Sequence, residues 1–289
     1  MLSVKSIGLL LIILALLITI VGFLNLHYNL PLPKSVEYFI ADFYANISAE
    51  LIGIAFTVLI IDQLYERSRI RQIKEQLIRQ MGAADNGLAL LAVDELRAQG
   101  WIEDGSLCKV SFYQANLNEA RLFLADLEQT DFTRANLTNA DLKWVNLRNA
   151  NLNSAILANS MLIGANLFKA RLSRANLGGA YLIDADLQEA DLTEATLTNA
   201  CLWGANLRGA RVTEHQLRKA IMLHGTIMPD GDIYDGRFNL AGDVALANET
   251  KVVDDITAAE GELPAIVCDS EIHARQFLRW KWVAENVME

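Results

Sequence analysis

Asp230, Asp232 and Asp235 are the residues of this chain whose types and spacing come nearest to chemistry, because closely set carboxylates can hold calcium. A calcium loop wants acidic or amide groups at positions 1, 3 and 5, with glycine at 6. Counting from Asp230 puts Tyr234 at position 5 and Asp235 at position 6, so the match fails. His215 and His224 are nine residues apart on a segment expected to form a short helix, where they face different directions. No Cys/His set has zinc spacing. A phosphate-binding glycine loop, a nucleophile elbow and a triad signature are all missing from the sequence. The expectation is a protein that is not an enzyme, with no catalytic residues, no metal and no cofactor.

Charge and cysteine content narrow the class further. A net charge of −10 argues against a nucleic-acid partner. Three cysteines suggest no disulfide framework, and Cys108 and Cys201 lie too far apart in the repeat described next to be bridged.

The element that organises the chain runs from Val110 to Glu214 and repeats every five residues, in 21 units. The middle residue is Leu in all but three units, where Phe112, Phe132 and Val212 stand in. Two positions earlier sits Ala, replaced only by Val110, Thr130, Val145 and Ser160. Asn or Asp commonly lies between them, as at Asn116, Asp126, Asn136 and Asp186. Two inward residues separated by one outward residue is the alternation of extended chain. The pair restarts after five, so the chain must turn a corner once per unit. Fives do not keep pace with a 3.6-residue helical turn. Repeats this short bury their Leu only by stacking coil on coil, which makes a solenoid.

The pattern resembles the A-(D/N)-L-X-X signature of the pentapeptide repeat family. The resemblance implies a β-solenoid of a definite kind, a right-handed quadrilateral β-helix with four units to a coil. Residues 110–214 would then form slightly more than five coils, a rod roughly 25 Å long at about 4.8 Å per coil.

The amino-terminal third reads as an anchor. Residues 7–26 are almost wholly apolar, long enough to cross a bilayer, and no cleavage site follows. A second candidate span covers about 43–64, with Glu50 inside it. Arg67, Arg69, Arg71, Lys74 and Arg79 come directly after, so the positive-inside rule places both termini and the rod in the cytoplasm. The expected organisation is an α-helical transmembrane hairpin at 1–64 and a stalk with capping helices at 65–104. The repeat β-helix follows at 105–214, and a carboxy-terminal cap with a mixed tail at 215–289. The stretch from YANISAELIGIAFTVLIIDQLYER to ELRAQGWIEDGSL resembles membrane-anchored bacterial pentapeptide repeat proteins. That implies a multi-pass protein of a bacterial membrane, with the lipid bilayer as one partner. Glu50 has two readings, a functional intramembrane carboxylate or a residue near the interface.

Sorting the units by face brings together ARLFL, ADLKW, SMLIG, AYLID and ACLWG. Their outward positions hold Phe123, Leu124, Trp144, Met161, Ile163, Tyr181, Ile183 and Trp203. A contiguous apolar strip of this size is a candidate interaction face, to be covered by the tail, by a second copy or by a partner. The resulting expectation is a membrane-tethered, non-catalytic binding or assembly scaffold whose partner is an unknown protein or itself. One alternative is a regulator that inhibits or protects an enzyme by imitating DNA, as some members of the family do. Residues 110–214 hold eleven acids against nine bases, a balance of −2 that imitates a polyanion poorly. A further alternative is an oligomeric pore using Glu50.

Overall fold

The structure, a computed structural model, describes residues 6, 8–13, 16, 17, 20, 38, 48–248, 279, 283 and 285. The chain divides into two compact units, Met1–Ile73 and Lys74–Glu289.

Helix α1 spans Ser48–Met81. Within the first unit Ala55 of this helix is buried, and Leu59 lies so close to Gly8 that a Cβ there would be 2.9 Å from Leu59 Cδ2. The expected membrane placement is corrected here. Among the described residues no helix is long and apolar enough to cross a membrane. The apolar stretch 51–61 of α1 is about 16 Å long at ~1.5 Å per residue. The hydrocarbon layer is about 30 Å thick, and Asp62, Glu66, Arg67 and Arg69 follow the stretch at once. Most of the first expected span, 7–26, lies outside the described residues, as do 43–47. The multi-pass, cytoplasm-facing membrane location therefore does not hold, and the membrane-anchored type and the bilayer as partner find no support among the described residues. Glu50 sits on the helical backbone of α1, and its side chain lies outside the described residues.

The second unit is built on the five-residue repeat. Parallel bridges join residues twenty apart, from Ser111↔Asp131 through Asp191↔Arg211, so four units close each coil. The sides are shorter than strands. Each consists of one bridging residue, an inward Leu or Phe, a two-residue turn and a small inward residue, mostly Ala. The turn carries the geometry. Ala115 N donates to Phe112 O at 3.0 Å, and Gln114 between them has φ 58°, the arrangement of a type II turn. Left-handed residues recur at every fifth position from Lys109 to Gly209, and only Gly164, Gly179, Gly204 and Gly209 are glycine. Each other residue there costs about 1–2 kcal/mol. Hydrogen bonds between coils offset that cost, for example Leu117 N to Asn136 O at 2.7 Å and Asn136 N to Ala115 O at 2.9 Å.

The Asn or Asp of each unit now has a physical role. Its side-chain oxygen accepts from the backbone N–H two residues on, as Asn136 Oδ1 does from Thr138 N at 3.1 Å and Asp186 Oδ1 from Gln188 N at 3.1 Å. It also links coils, as Asn146 Nδ2 does by donating to Asp126 Oδ1 at 2.8 Å. Inside, Leu and Ala pack into one continuous core, with Phe112 and Phe132 stacked at 5.2 Å.

Both ends of the rod are covered. Helix α2, Asn86–Ala98, begins at Asp85, whose side chain accepts from Leu88 N, and buries Ala89, Ala92, Val93 and Leu96. It ends in a Schellman motif at Gly100, with Trp101 N donating to Leu96 O at 2.8 Å. Asn116 N and Asp126 N in the first coil donate to Ala83 O and Ile102 O, so the cap supplies acceptors that a preceding coil would have offered. At the other end Thr213 and Gln216 form a capping box, and helix α3 covers only Glu214–Leu217, stopping short of His224. The coil then resumes one residue out of step, with bridges Cys201↔Met222 and Asn206↔Ile227 beyond residue 214. Leu223 and Met228 take the core positions, and Gly225 serves the turn of this added side. Ile227 also pairs antiparallel with Ile233, as the turn sequence around Gly231 implies.

Candidate interaction surface

The apolar face arises because residues twenty apart stack. Its bridging positions are Arg121, Asp141, Met161, Tyr181 and Cys201, its first turn positions Phe123, Lys143, Ile163, Ile183 and Trp203, and its left-handed positions Leu124, Trp144, Gly164, Asp184 and Gly204. The structure therefore brings the eight predicted residues onto one side of the rod, in two differently treated halves.

The carboxy-terminal half is covered. Ile163, Ile183 and Trp203 are at most 4% exposed and form a second apolar cluster with Cys201, Met222, Leu246 and Val283, apart from the inner core. Helix α4, Ala241–Asn248, contributes Leu246. It lies close because residue 242 is glycine: a Cβ there would meet Ile221 O and Met222 Cβ at 2.9 Å. Asp243 in the same helix accepts from Leu223 N at 3.0 Å, and burial raises its carboxyl above the usual range. From the tail, Arg279 pairs with Asp184, and its guanidinium lies 5.4 Å from the Trp203 ring centre. His224 meets the same ring edge-on at 5.9 Å. Burial pushes the Asp184 carboxyl up in spite of the neighbouring Arg279. Burial also carries the Cys201 thiol up to about 12, which leaves it inert.

The amino-terminal half is more open. Leu124 is 39% exposed, while Trp144, Met161 and Tyr181 are half-buried. Phe123 is sheltered by Arg97 of α2, whose guanidinium lies 3.9 Å from the ring centre while it donates to Arg121 O at 2.6 Å.

Sequence reasoning named the ridge residues but missed Asp184, Cys201, Met222 and the tail residues Arg279 and Val283 as its companions. Asp184 and Gly204 occupy left-handed turn positions of the same face, which was the available signal. The link to Arg279 crosses 95 residues and has none. Asp230 and Asp235 serve locally, accepting from Asp232 N at 3.1 Å and Arg237 N at 3.2 Å. Among the described residues no group of three His, Cys, Asp or Glu could hold a metal ion.

The profile of the family described as pentapeptide repeats matches eight copies over residues 111–149, 135–174 and 175–213. No curated protein sequence matches the chain. Three solved structures show what the repeats are similar to. HetL from the cyanobacterium Nostoc sp. strain PCC 7120, a pentapeptide repeat protein involved in heterocyst differentiation regulation, is 40% identical, over 44% of this chain and 61% of HetL, with a TM-score of 0.32. The chain thus spans about three fifths of the length of HetL. The pentapeptide repeat protein alr5209 from Nostoc PCC 7120 is 30% identical, over 40% of this chain and 79% of alr5209, with a TM-score of 0.18. QnrB1, a plasmid-mediated fluoroquinolone resistance protein, is 18% identical, over 50% of this chain and 88% of QnrB1, with a TM-score of 0.32. With eight matched repeats and coils of four five-residue sides, the chain belongs to the pentapeptide repeat family, whose fold is the right-handed quadrilateral β-helix.

Proposed function

We propose that the protein is a non-catalytic, protein-binding scaffold whose rod offers the open half of its apolar face, around Leu124, Trp144 and Met161, to a protein partner. The observation that carries this reading is the exposure of Leu124 beside half-buried Trp144 and Met161, on the face whose other half the chain itself covers. Apolar groups left in water forgo about 1.5–3 kcal/mol each relative to burial, which favours a cover. DNA mimicry finds less support, because the rod's balance is −2 and arginines such as Arg148, over Phe168 at 4.6 Å, stud its surface.

A photo-crosslinking residue at Trp144 tests the reading in the full-length chain in cells, with one at exposed Glu189 on another face as control. The expected result is a discrete protein adduct from position 144, absent from position 189 and lost when Leu124→Glu is added. An adduct with another copy of this chain would make the scaffold self-assembling. The same adducts from both positions would overturn the assignment of the face.

A further inference from the structure

The ladder between coils is broken at one turn, and the break leaves a donor over. From Lys109 to Gly209 the left-handed residue of each turn donates its N–H to a carbonyl of the next coil, as Arg174 N does to Thr193 O at 2.9 Å and Gly209 N to Pro229 O at 2.9 Å. Glu194 alone does not. The acceptor its place in the coil calls for is Thr213 O, which instead accepts from Gln216 N at 3.0 Å and Leu217 N at 3.1 Å. Among the described residues the Glu194 N–H therefore has no partner. A cleft of about 500 Å³ opens there, lined by Thr193, Glu194, Arg211, Val212, Thr213 and Gln216. That is the usual size of a small-molecule site.

The charges of the cleft select the ligand. Arg211 is exposed, bridges to Asp191 through the backbone, and makes no side-chain ion pair among the described residues. The Glu194 carboxylate is already engaged by Arg174 Nε at 2.8 Å, and the Asp191 carboxylate accepts from the Ser173 hydroxyl at 2.9 Å. Arg211 and Arg174 thus balance Asp191 and Glu194. A cleft without net charge disfavours a doubly charged phosphate and tolerates a singly charged group. Val212, half-buried against the inner core, gives the cleft an apolar wall. We infer that this cleft binds a small monocarboxylate, whose oxygens take the Glu194 N–H and the Arg211 guanidinium while its short apolar chain lies against Val212. Charge-assisted bonds from an arginine fork suit a planar carboxylate. Neither donor belongs to helix α3, and the site does not rest on the scaffold reading.

Titration of butyrate into the full-length chain tests the site, with the Glu194 amide followed by NMR. That amide should shift saturably, and Arg211→Gln should weaken binding by about tenfold or more, as loss of a bond to a charged group does. Arg211→Lys keeps the charge without the fork and should fall between the two. Arg134→Gln removes an arginine from the same face three coils away, and should bind as wild type. Amide signals of Leu182 and Leu187 report intact coils in each variant. Inorganic phosphate should bind more weakly than butyrate. No saturable shift at Glu194 would overturn the site. So would a shift that both Arg211 variants leave unchanged, or that Arg134→Gln weakens equally. Phosphate bound as tightly as butyrate would overturn the assignment to a monocarboxylate.

Discussion

The rod carries two apolar clusters built on different plans. The inner one takes two residues from most units, each touching the same kinds of neighbour above and below, and it runs from Met81 to Leu240. The outer one takes side chains from one face only and is completed by residues distant in sequence, Leu246 and Val283. The inner cluster is what makes a coil. The outer cluster decides what lies upon it. A repeat fold can thus keep its interior uniform while one face varies, and function can reside in that variation without altering the rod.

This division can be broken most forcefully from the inside. Phe132→Ala removes one ring of the stacked Phe112–Phe132 pair from a fully buried position. It should cost about 3–5 kcal/mol, read as a shifted midpoint in denaturant unfolding, with coils and tail lost together. A tail that detached while the coils kept their midpoint would contradict the division.

Two glycines in equivalent turns sharpen it. Gly204→Ala and Gly209→Ala both place a side chain at positive φ, at about 1–2 kcal/mol each. Only Gly204→Ala strikes Asp184 and Arg279, whereas at Gly209 the nearest atom is Glu189 Cγ at an ordinary 3.5 Å. Thermal melts should show similar losses for the two variants. Protease sensitivity of the tail should rise in Gly204→Ala alone.

A smaller effect is expected where the coil breaks step. The Gln216 amide donates to Leu192 O at 2.7 Å and Ala195 O at 2.8 Å, replacing a backbone donor of the interrupted coil, and it completes the capping box. Gln216→Ala should destabilise by about 0.5–2 kcal/mol, with faster amide exchange near Leu192 and Leu197 and no change at the outer cluster.

The smallest effect concerns pH. Hydrogen bonds from the Thr193 hydroxyl and backbone, and from Ser173, hold the Asp191 carboxyl below the usual carboxylate range. A folded value below the unfolded one of about 3.9 adds stability above that pH, lost as pH falls through the folded value. Wild type should therefore lose more stability than Asp191→Asn between about pH 4 and 2. Parallel pH–stability curves for the two proteins would remove this contribution.

Much of the rod was legible because burial is periodic: Leu117 and Leu137 are twenty residues apart and do the same thing. The turn type was not, since Gln114, Glu119 and Trp144 stand where a type II turn favours glycine, and only the coil above and below compels them. The side that includes Leu223 was hidden by a single inserted residue, which throws the count of fives out of step. The ridge of Ile163, Ile183 and Trp203 was legible once units were sorted by face. The Asp184–Arg279 pair was not, because nothing local to either residue names the other. The amino-terminal apolar stretches misled, since apolar composition in the sequence is not the same as an apolar helix of spanning length among the described residues.

The independence of the two clusters is tested most directly by amide hydrogen exchange on full-length Ile183→Glu. A charge in the outer cluster should strip protection from α4 and the tail while Leu162, Leu182 and Leu202 exchange as in wild type. Loss of protection at those three leucines together with α4 would contradict the account, because the outer cluster would then be part of what holds the coils.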